Sequence, residues 1–319
     1  MPTPIAIRGL LAKVEGTYGT DPTPTNTDNG VRIVGPLWPD LRITRVFDNM
    51  RDDVVSGTLI APKPGVPRGR VVDFDLSVEF KGKASAYAAI TDLECTPLLQ
   101  ACGLSVAVDT TGGAETITAS LADTSHSSCT VWAYSGADVY KIVGCRGNLV
   151  WSINAGQNAQ LTFRMRGMMV TDPAAAALPT ITYDSATVPS AVGMSFTLHP
   201  GASYSPDVRV MEFDLGNRVE TIEDANGTDG LQGIEIPMRD PKFTCEIRKD
   251  ALTSWDPAAL RAAVTSHLID LTLGSAQYNR LKLDVNESYL IADPTPIDYK
   301  GFNGWGLTFG VKTVSLVAD

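Results

Sequence analysis

The chain is most regular at Val72–Phe80, where the sequence VDFDLSVEF alternates strictly between apolar and polar residues. Successive side chains of a β-strand point to opposite faces, so this stretch has one apolar face and one polar face. The apolar face must pack against a core, and the other face, with its three carboxylates, must contact water. The stretch therefore predicts a strand at the surface of a layered β structure.

A shortened copy of this part of the chain recurs in the second half. The strand-like run FDLSVE at 74–79 matches FTCEIR at 243–248, and the helix start TPLLQA at 96–101 matches DPAALR at 256–261. The closing strand LTF at 161–163 recurs at 307–309, after glycine turns at Gly156 and Gly301. The offsets shrink from 169 (243 − 74) to 160 (257 − 97) to 146 (307 − 161), as loop deletions would cause. Three matches in the same order predict two similar domains, and repetition is more typical of assembly than of catalysis.

The length of 319 residues accommodates two domains of ordinary size. We expect an irregular N-terminal arm at 1–40, a first domain at 41–172, a linker and crossover at 173–206 and a second domain at 207–319. Long connections rich in turn residues interrupt the domains at 48–70 and 215–239. Sheets flanked by one short helix, twice over, indicate a mainly β (α+β) fold.

The composition argues against several classes of function. The formal net charge is −10 and the pI about 4.8, without a basic run, which is unfavourable for binding nucleic acid through its phosphates. Five cysteines without CxxC spacing read as small buried apolar residues. The N-terminus lacks a secretion signal and no apolar run reaches the ~18 residues that span a bilayer. We expect assembly in a cytoplasm and no membrane partner.

Catalytic and metal-binding patterns are absent from the sequence. There is no nucleophile elbow and no phosphate-binding loop, and the three histidines are scattered. The run Asp224–Gly230 lacks the glycine position and the flanking helices of a calcium loop, which favours a plain turn. Asp73, Asp75 and Glu79 read as a solvated acidic surface rather than as an acid/base set. We therefore expect no enzyme activity, no metal and no cofactor.

Several short segments resemble the tail tube proteins of long, non-contractile-tailed bacteriophages. They are LAKVEGTYGTDPTPT at 11–25, TPLLQACG at 96–103 and YKIVGCRGN at 140–148, continuing to AGQ at 155–157 and LTF at 161–163. The segments are spread over residues 11–167 in the family's order. Beyond residue 200 the resemblance rests mainly on the internal repeat.

The resemblance implies a structural protein whose domains are sandwiches of two antiparallel sheets with a flanking helix. Six such domains close their inner strands into one continuous β-barrel, and the rings stack into a tube that conducts DNA into the host. Two domains in each chain imply three chains per ring (3 × 2) with pseudo-sixfold symmetry, whereas six chains form the ring if the second half is a decoration. The implied location is the virion tail, assembled in the bacterial host cytoplasm.

The implied partners are further copies of the chain in the same ring and in stacked rings, the tape measure protein, and the tail terminator and distal tail proteins. DNA is expected to pass transiently, without specific binding, because a negative lumen repels phosphates. We expect the following residues to face the lumen: Asp73, Asp75, Ser77, Glu79, Glu246 and Arg248. Arg248 is a departure from an acidic lining.

Ring stacking is assigned to the arm and to the two long connections, which are the segments long enough to reach the next ring. The residues chosen to represent them are Asp21, Pro22, Leu59, Ile60, Pro62, Thr221 and Asp224. Deletion of residues 1–35 is then expected to leave folded subunits that cannot form long tubes.

A different class of function is a soluble carbohydrate- or receptor-binding β-sandwich. Such a protein favours aromatic side chains clustered on loops. The five tryptophans of this chain are scattered, and most lie within or beside expected strands. The tail tube interpretation is therefore preferred, with the binding protein as the alternative.

Overall fold

The computed structural model of the chain describes residues 8–34, 41–49, 66–113, 115–169, 171–199, 204–227, 230–252 and 255–319. The chain is 54% strand and 6% helix, in large antiparallel sheets. The mainly β class expected from the sequence is confirmed.

The secondary structure consists of eighteen strands in the described ranges and two short helices. The strands up to residue 168 are β1 (Arg8–Val14), β2 (Arg42–Asn49), β3 (Val66–Glu79), β4 (Leu104–Asp109), β5 (Thr116–Leu121), β6 (Cys129–Ser135), β7 (Asp138–Asn154) and β8 (Gln160–Met168). The later strands are β9 (Ala174–Ala175), β10 (Ser195–His199), β11 (Val208–Asp214), β12 (Asn217–Glu223), β13 (Leu231–Arg239), β14 (Lys242–Arg248), β15 (His267–Leu273), β16 (Leu281–Leu290), β17 (Thr295–Tyr299) and β18 (Phe302–Ala318). The helices are α1 (Thr96–Ala101) and α2 (Pro257–Ala262), with a 3₁₀ turn at Ile90–Asp92.

Eight strands form one antiparallel layer that runs through both halves of the chain. Their order is β2-β3-β8-β7-β11-β14-β18-β17, and every neighbouring pair is antiparallel. In the first half, β2 and β3 are followed in space by β8, which comes after the turn at Gly156, and then by β7, which comes before that turn. In the second half, β11 and β14 are followed in the same way by β18, which comes after the turn at Gly301, and then by β17, which comes before it. The strand order of the first half thus recurs in the second.

The matched segments also pair with one another in both halves. Phe74 lies opposite Met165 in the β3–β8 pair, and Phe243 lies opposite Phe309 in the β14–β18 pair. The sequence match alone places Phe243 opposite Val311, so the register differs by two residues. Because side chains alternate with a period of two, this shift keeps every side chain on its original face.

A second layer is reached through two 17-residue strands, β7 and β18. The first part of β7 pairs with β6, which pairs with β1, while its later part pairs with β8 and β11. The last part of β18 pairs with β16 and β5, and β16 leads on to β15 and β10. Each half therefore has strands above and below one continuous apolar core.

The alternating stretch Val72–Phe80 is buried on one face, as its pattern requires. Its apolar residues, Val72 to Phe80 at even positions, are at most 1% exposed, and Phe80 packs edge-on against Trp151 with 5.2 Å between ring centroids. Burial of each such side chain contributes about 1.5–3 kcal/mol. The five cysteines are all buried thiols, as expected from their spacing, and burial raises the pKa of Cys95, Cys102, Cys145 and Cys245.

The expectation of an irregular arm is wrong for residues 8–14, which form β1. Leu10 and Ala12 are fully buried in the main core, and Leu11 packs beside Tyr134 and Val139 on the opposite face. The sequence RGLLAKV hides this strand because both of its faces are apolar and no alternation is left to see. Deletion of residues 1–35 removes this core strand, so the expectation that the truncated subunit folds normally is wrong.

Glu15 fastens the turn that follows β1. Its carboxylate accepts hydrogen bonds from Ser128 Oγ at 2.6 Å, Thr130 Oγ1 at 2.7 Å and the backbone amides of Gly144 and Gly19, both at 2.7 Å. Four donors satisfy a carboxylate that is only 9% exposed. The expected linker at 173–206 also contains structure, since β10 pairs with β15.

Leu10→Ala tests whether β1 belongs to the core. We expect the free energy of unfolding to fall by about 2–5 kcal/mol, because the substitution leaves a cavity at a fully buried site. Urea unfolding followed by circular dichroism measures the change. Val192→Ala, at a side chain that is 72% exposed, serves as the control and should change stability by less than about 0.5 kcal/mol. Equal stability of the two variants would contradict the assignment.

His267 makes stability depend on pH. The side chain is fully buried against the Phe309 ring, with centroids 5.2 Å apart, and burial lowers its pKa. As the pH falls through the ordinary histidine value of about 6.5, the unfolded chain takes up the proton first and the free energy of unfolding decreases. We expect His267→Leu to lose less stability than the wild type between about pH 7 and pH 5, measured as the shift of the urea midpoint. An identical shift in both proteins would exclude this role.

Candidate functional site

The polar side of β3 forms an exposed face together with its neighbour β8. Asp73 lies opposite Arg166, Asp75 opposite Arg164, and Ser77 opposite Thr162. The core lies on the other side of these strands. Carboxylates on one strand therefore face arginines on the next.

Each carboxylate of β3 has a cationic partner. Arg166 donates two hydrogen bonds to Asp73, from Nε to Oδ1 at 2.6 Å and from Nη2 to Oδ2 at 3.3 Å. Arg42 on β2 lies 3.6 Å from Asp75. A two-point guanidinium–carboxylate pair that is about two-thirds buried is stronger than an exposed pair, which contributes only about 0.2–1 kcal/mol.

Glu79, at the end of β3, is surrounded by cations of its own. The Arg32 guanidinium lies 3.6 Å from its carboxylate and the buried Lys81 ammonium 3.9 Å. Ser77 Oγ and Thr162 Oγ1 are 3.4 Å apart. This surface, which we call the paired face, therefore carries charges of both signs along β3 and β8.

The second half repeats the arrangement with different residues. Glu246 on β14 accepts a hydrogen bond from Arg209 Nε at 2.8 Å, and Arg209 also lies over the Tyr299 ring at 5.6 Å. Arg248 pairs with Asp207 at 2.6 Å. The paired face therefore continues across the second half, and the arginine that is out of place in an acidic lining has a carboxylate beside it.

The sequence reasoning overlooked the arginines because they lie on other strands. A signal was available: in QLTFRMRGM at 160–168 the polar phase of a period-two pattern carries Arg164 and Arg166. Nothing in the sequence gives the register that brings them opposite Asp75 and Asp73. The surface that β3 alone presents as acidic therefore has a cationic side chain beside each of its carboxylates.

The hairpin β12–β13 connects β11 to β14 and lies against the first half of the chain. At its base, Asn217 Nδ2 donates to the carbonyl oxygens of Cys102 at 2.7 Å and Gly147 at 2.8 Å. Gly216 turns the chain there with φ +65°, where an added Cβ would overlap the Asp240 carbonyl. The hairpin base is thus fixed to the body of the protein.

Tyr18 and Arg146 hold the middle of the hairpin. The Tyr18 hydroxyl accepts a hydrogen bond from the Ile234 amide at 2.5 Å, and burial raises the pKa of Tyr18 to about 12. Arg146 donates to the Ile234 carbonyl at 2.6 Å, pairs with Glu235 and stacks over the Tyr18 ring at 5.0 Å. The turn after β1 and the hairpin are therefore one connected structure.

A family model for phage tail tube proteins matches residues 6–304, which is nearly the whole chain. The chain belongs to the phage tail tube protein family. A search of the curated proteins found no match. The expectation of a tail tube protein is confirmed, and with it a structural role in the virion tail and self-assembly into a stacked tube.

In this tail tube protein, two of the residues expected to take part in ring stacking, Asp21 and Pro22, have hydrogen-bond partners within their own chain. Asp21 accepts from Trp132 Nε1 at 3.1 Å and pairs with Lys141 at 3.6 Å, and the Pro22 carbonyl accepts from Lys13 Nζ at 3.1 Å. These contacts fasten the segment after β1 to the second layer.

The remaining stacking residues lie on the two long connections. Thr221 pairs with Ile234 within the hairpin, and the Asp224 carboxylate accepts a hydrogen bond from the Asn226 amide at 2.9 Å at the start of the hairpin turn. Leu59, Ile60 and Pro62 lie outside the described residues.

Within the described ranges, no three His, Cys, Asp or Glu side chains come together as a metal site requires. No helix in the described part of the chain is long and apolar enough to cross a membrane.

Tyr18→Phe tests the attachment of the hairpin. It removes the acceptor of the Ile234 amide, and an unsatisfied buried donor costs about 1–3 kcal/mol. We expect faster hydrogen exchange at the Ile234 amide and faster proteolysis within 217–239. Tyr289→Phe, whose hydroxyl bonds only to Glu287 among the described contacts, is the matched control. Unchanged exchange at Ile234 in Tyr18→Phe would refute the role of Tyr18.

Proposed function

We propose that three copies of the chain form a ring whose eight-stranded layers join into one barrel of 24 strands (3 × 8), and that these rings stack into the tail tube. The proposal rests on one observation: β2 and β17 end the layer, and neither has a second neighbour among the described residues. Unpaired edges of this kind attract further strands, and closure of a barrel removes them.

The direction of the strands supports closure by rotation alone. All eight are antiparallel to their neighbours, so β17 runs opposite to β2. When β17 of one copy meets β2 of the next, the new pair is antiparallel like the others. Pro296 lacks an amide donor, so this contact uses fewer hydrogen bonds than an uninterrupted strand pair.

An exposed apolar residue marks the β2 edge. Ile43 lies opposite Val72, whose side chain points into the core, yet Ile43 is 45% exposed. An apolar side chain on the core side of an edge strand loses contact with water when a neighbouring strand arrives. This supports an interface between copies at β2.

The recurring strand order supports two tandem tube domains, at 41–172 and 207–319, joined by 173–206. The halves share one layer because β7 pairs with β11 over Val150–Asn154. A second half that merely decorated the exterior would have no reason to extend the same layer. Three chains per ring are therefore favoured over six.

The paired face, with Asp73, Asp75, Ser77, Glu79, Glu246 and Arg248, is proposed to line the lumen. It lies opposite the core and is the polar side of the layer that the closed barrel would turn inward. The carboxylates of this face pair with its arginines, and the three chains together carry a net charge of −30 (3 × −10), so we expect DNA phosphates to find a net repulsive ring and to pass without specific binding. The tape measure protein is the proposed occupant of the lumen before DNA.

Stacking is proposed to involve the hairpin β12–β13, represented by Thr221 and Asp224, and the connection that contains Leu59, Ile60 and Pro62. Asp21 and Pro22 act through the turn that supports the hairpin. The ends of the stack would contact the tail terminator and distal tail proteins, and assembly would take place in the cytoplasm of the bacterial host. Family membership supports these partners in general, and the protein has no proposed catalytic step.

Ile43→Glu tests ring closure. A charge at the β2 edge leaves the fold intact, because the side chain is exposed, but it opposes burial between copies. We expect the wild type to form rings and tubes with a central hole in negative-stain micrographs, and Ile43→Glu to remain monomeric by light scattering.

Val192→Glu introduces the same charge at a position outside both edge strands and should assemble normally. Tubes of normal length and yield from Ile43→Glu would contradict closure at β2. Wild-type chains that stay as separate globules and bind glycans would overturn the tube proposal itself.

A further inference from the structure

Three arginines and two aspartates share one cleft on the paired face. The cleft has a volume of about 490 Å³ and lies between β2, β3, β8 and the base of the hairpin. Its charged lining consists of Arg42, Arg164, Arg166, Asp73 and Asp75. Asn148 and Asn217 add polar groups to the same wall.

Asp73 already occupies the hydrogen-bond donors of Arg166 that a phosphate group would use. Asp73 takes Nε and Nη2 of Arg166, which is the same two-point geometry by which arginine binds phosphate. Asp75 lies 3.6 Å from Arg42 and directly opposite Arg164 in the strand pair. Arg164 is exposed and makes no ion pair with any residue that the structure describes.

We propose that Asp73 and Asp75 mask a latent phosphate-binding cleft, so that the arginines of this face do not hold passing nucleic acid. This inference rests on the proposed function, because masking is useful only if the face lines a channel through which DNA must pass without being retained. With both aspartates present the charged lining sums to +1 (3 − 2), and without them to +3. Arg166 and Arg42 stay in the wall as partners of Asp73 and Asp75 rather than as anchors for DNA.

The two aspartate–arginine pairs that mask the cleft differ in strength. The Asp73–Arg166 pair is about two-thirds buried and two-pointed, whereas the Arg42–Asp75 pair is more than half exposed on both sides and 3.6 Å long. An exposed single contact contributes little to stability. Loss of Asp73 should therefore expose more binding capacity than loss of Asp75.

The test compares the full chain carrying Asp73→Asn and Asp75→Asn with the wild type. Binding of a fluorescent 20-base-pair DNA duplex is followed by anisotropy over a range of salt concentrations. Each phosphate neutralised adds about −0.9 to the slope of log K against log salt. We expect the double variant to bind at least about tenfold more tightly than the wild type at low salt, with a slope of about −2 to −3.

The matched control is Glu287→Gln with Asp293→Asn. These substitutions also change the net charge by +2 and release Lys312 and Arg261 from their carboxylates, but at positions away from the cleft. We expect the control to bind like the wild type, and Arg166→Gln added to the cleft variant to remove most of its gain, because Arg166 is the arginine that Asp73 holds at two points. Equal binding by the cleft variant and the control would overturn the proposal, because net charge alone would then explain it.

Two further variants keep the test decisive. Asp75→Asn alone removes only an exposed contact, so it should fold normally and show a smaller gain. Asp73→Glu retains a carboxylate and should stay as weak as the wild type. A folded Asp75→Asn chain with no gain, or an Asp73→Glu chain that binds as tightly as the double variant, would contradict masking.

Binding to DNA is measured on the dissolved chain, whereas ring formation by the same variants is read from micrographs. A chain that shows masking but forms no tubes would refute the proposed function alone. A chain that forms tubes but shows no gain in binding would refute the masking alone.

Discussion

The backbone pairing of β7 with β11 is the contact on which the rest of the architecture depends. Five residue pairs, from Val210–Asn154 to Asp214–Val150, join the two halves edge to edge. Without them, the eight-stranded layer would divide into two sheets with two additional open edges, and among the described strands the halves would be joined by backbone pairing only between β5 and β18 in the second layer. With them, the chain has a single eight-stranded layer, two remaining edges and strand directions that allow closure by rotation.

The charged residues of this layer have a modest effect on stability and a larger effect on what the surface attracts. Exposed ion pairs contribute at most about 1 kcal/mol each, far less than the apolar side chains beneath them. They do decide which guanidinium groups are available to an anion. A carboxylate on the neighbouring strand satisfies an arginine locally, so a protein of charge −10 can display arginines without a basic patch.

Prediction from the sequence succeeded where the pattern was local. The alternation in Val72–Phe80 predicted a strand and its buried face, and both are present in the structure. It failed at β1, because a strand buried on both faces shows no alternation. It also failed to find Arg166 and Arg209 as partners of Asp73 and Glu246, because register between distant strands is set by packing rather than by either strand alone.

The sequence by itself determined the mainly β class, the apolar and polar faces of β3, the buried thiols and membership of the phage tail tube family. Those properties follow from the period of the residues along the chain and from short segments that need no partner. Only the tertiary structure decided that Arg8–Val14 is a core strand, that Tyr18 fastens a hairpin more than two hundred residues away, and that the acidic face is paired. These depend on contacts between residues far apart in sequence, whose distances are fixed only when the whole core has packed.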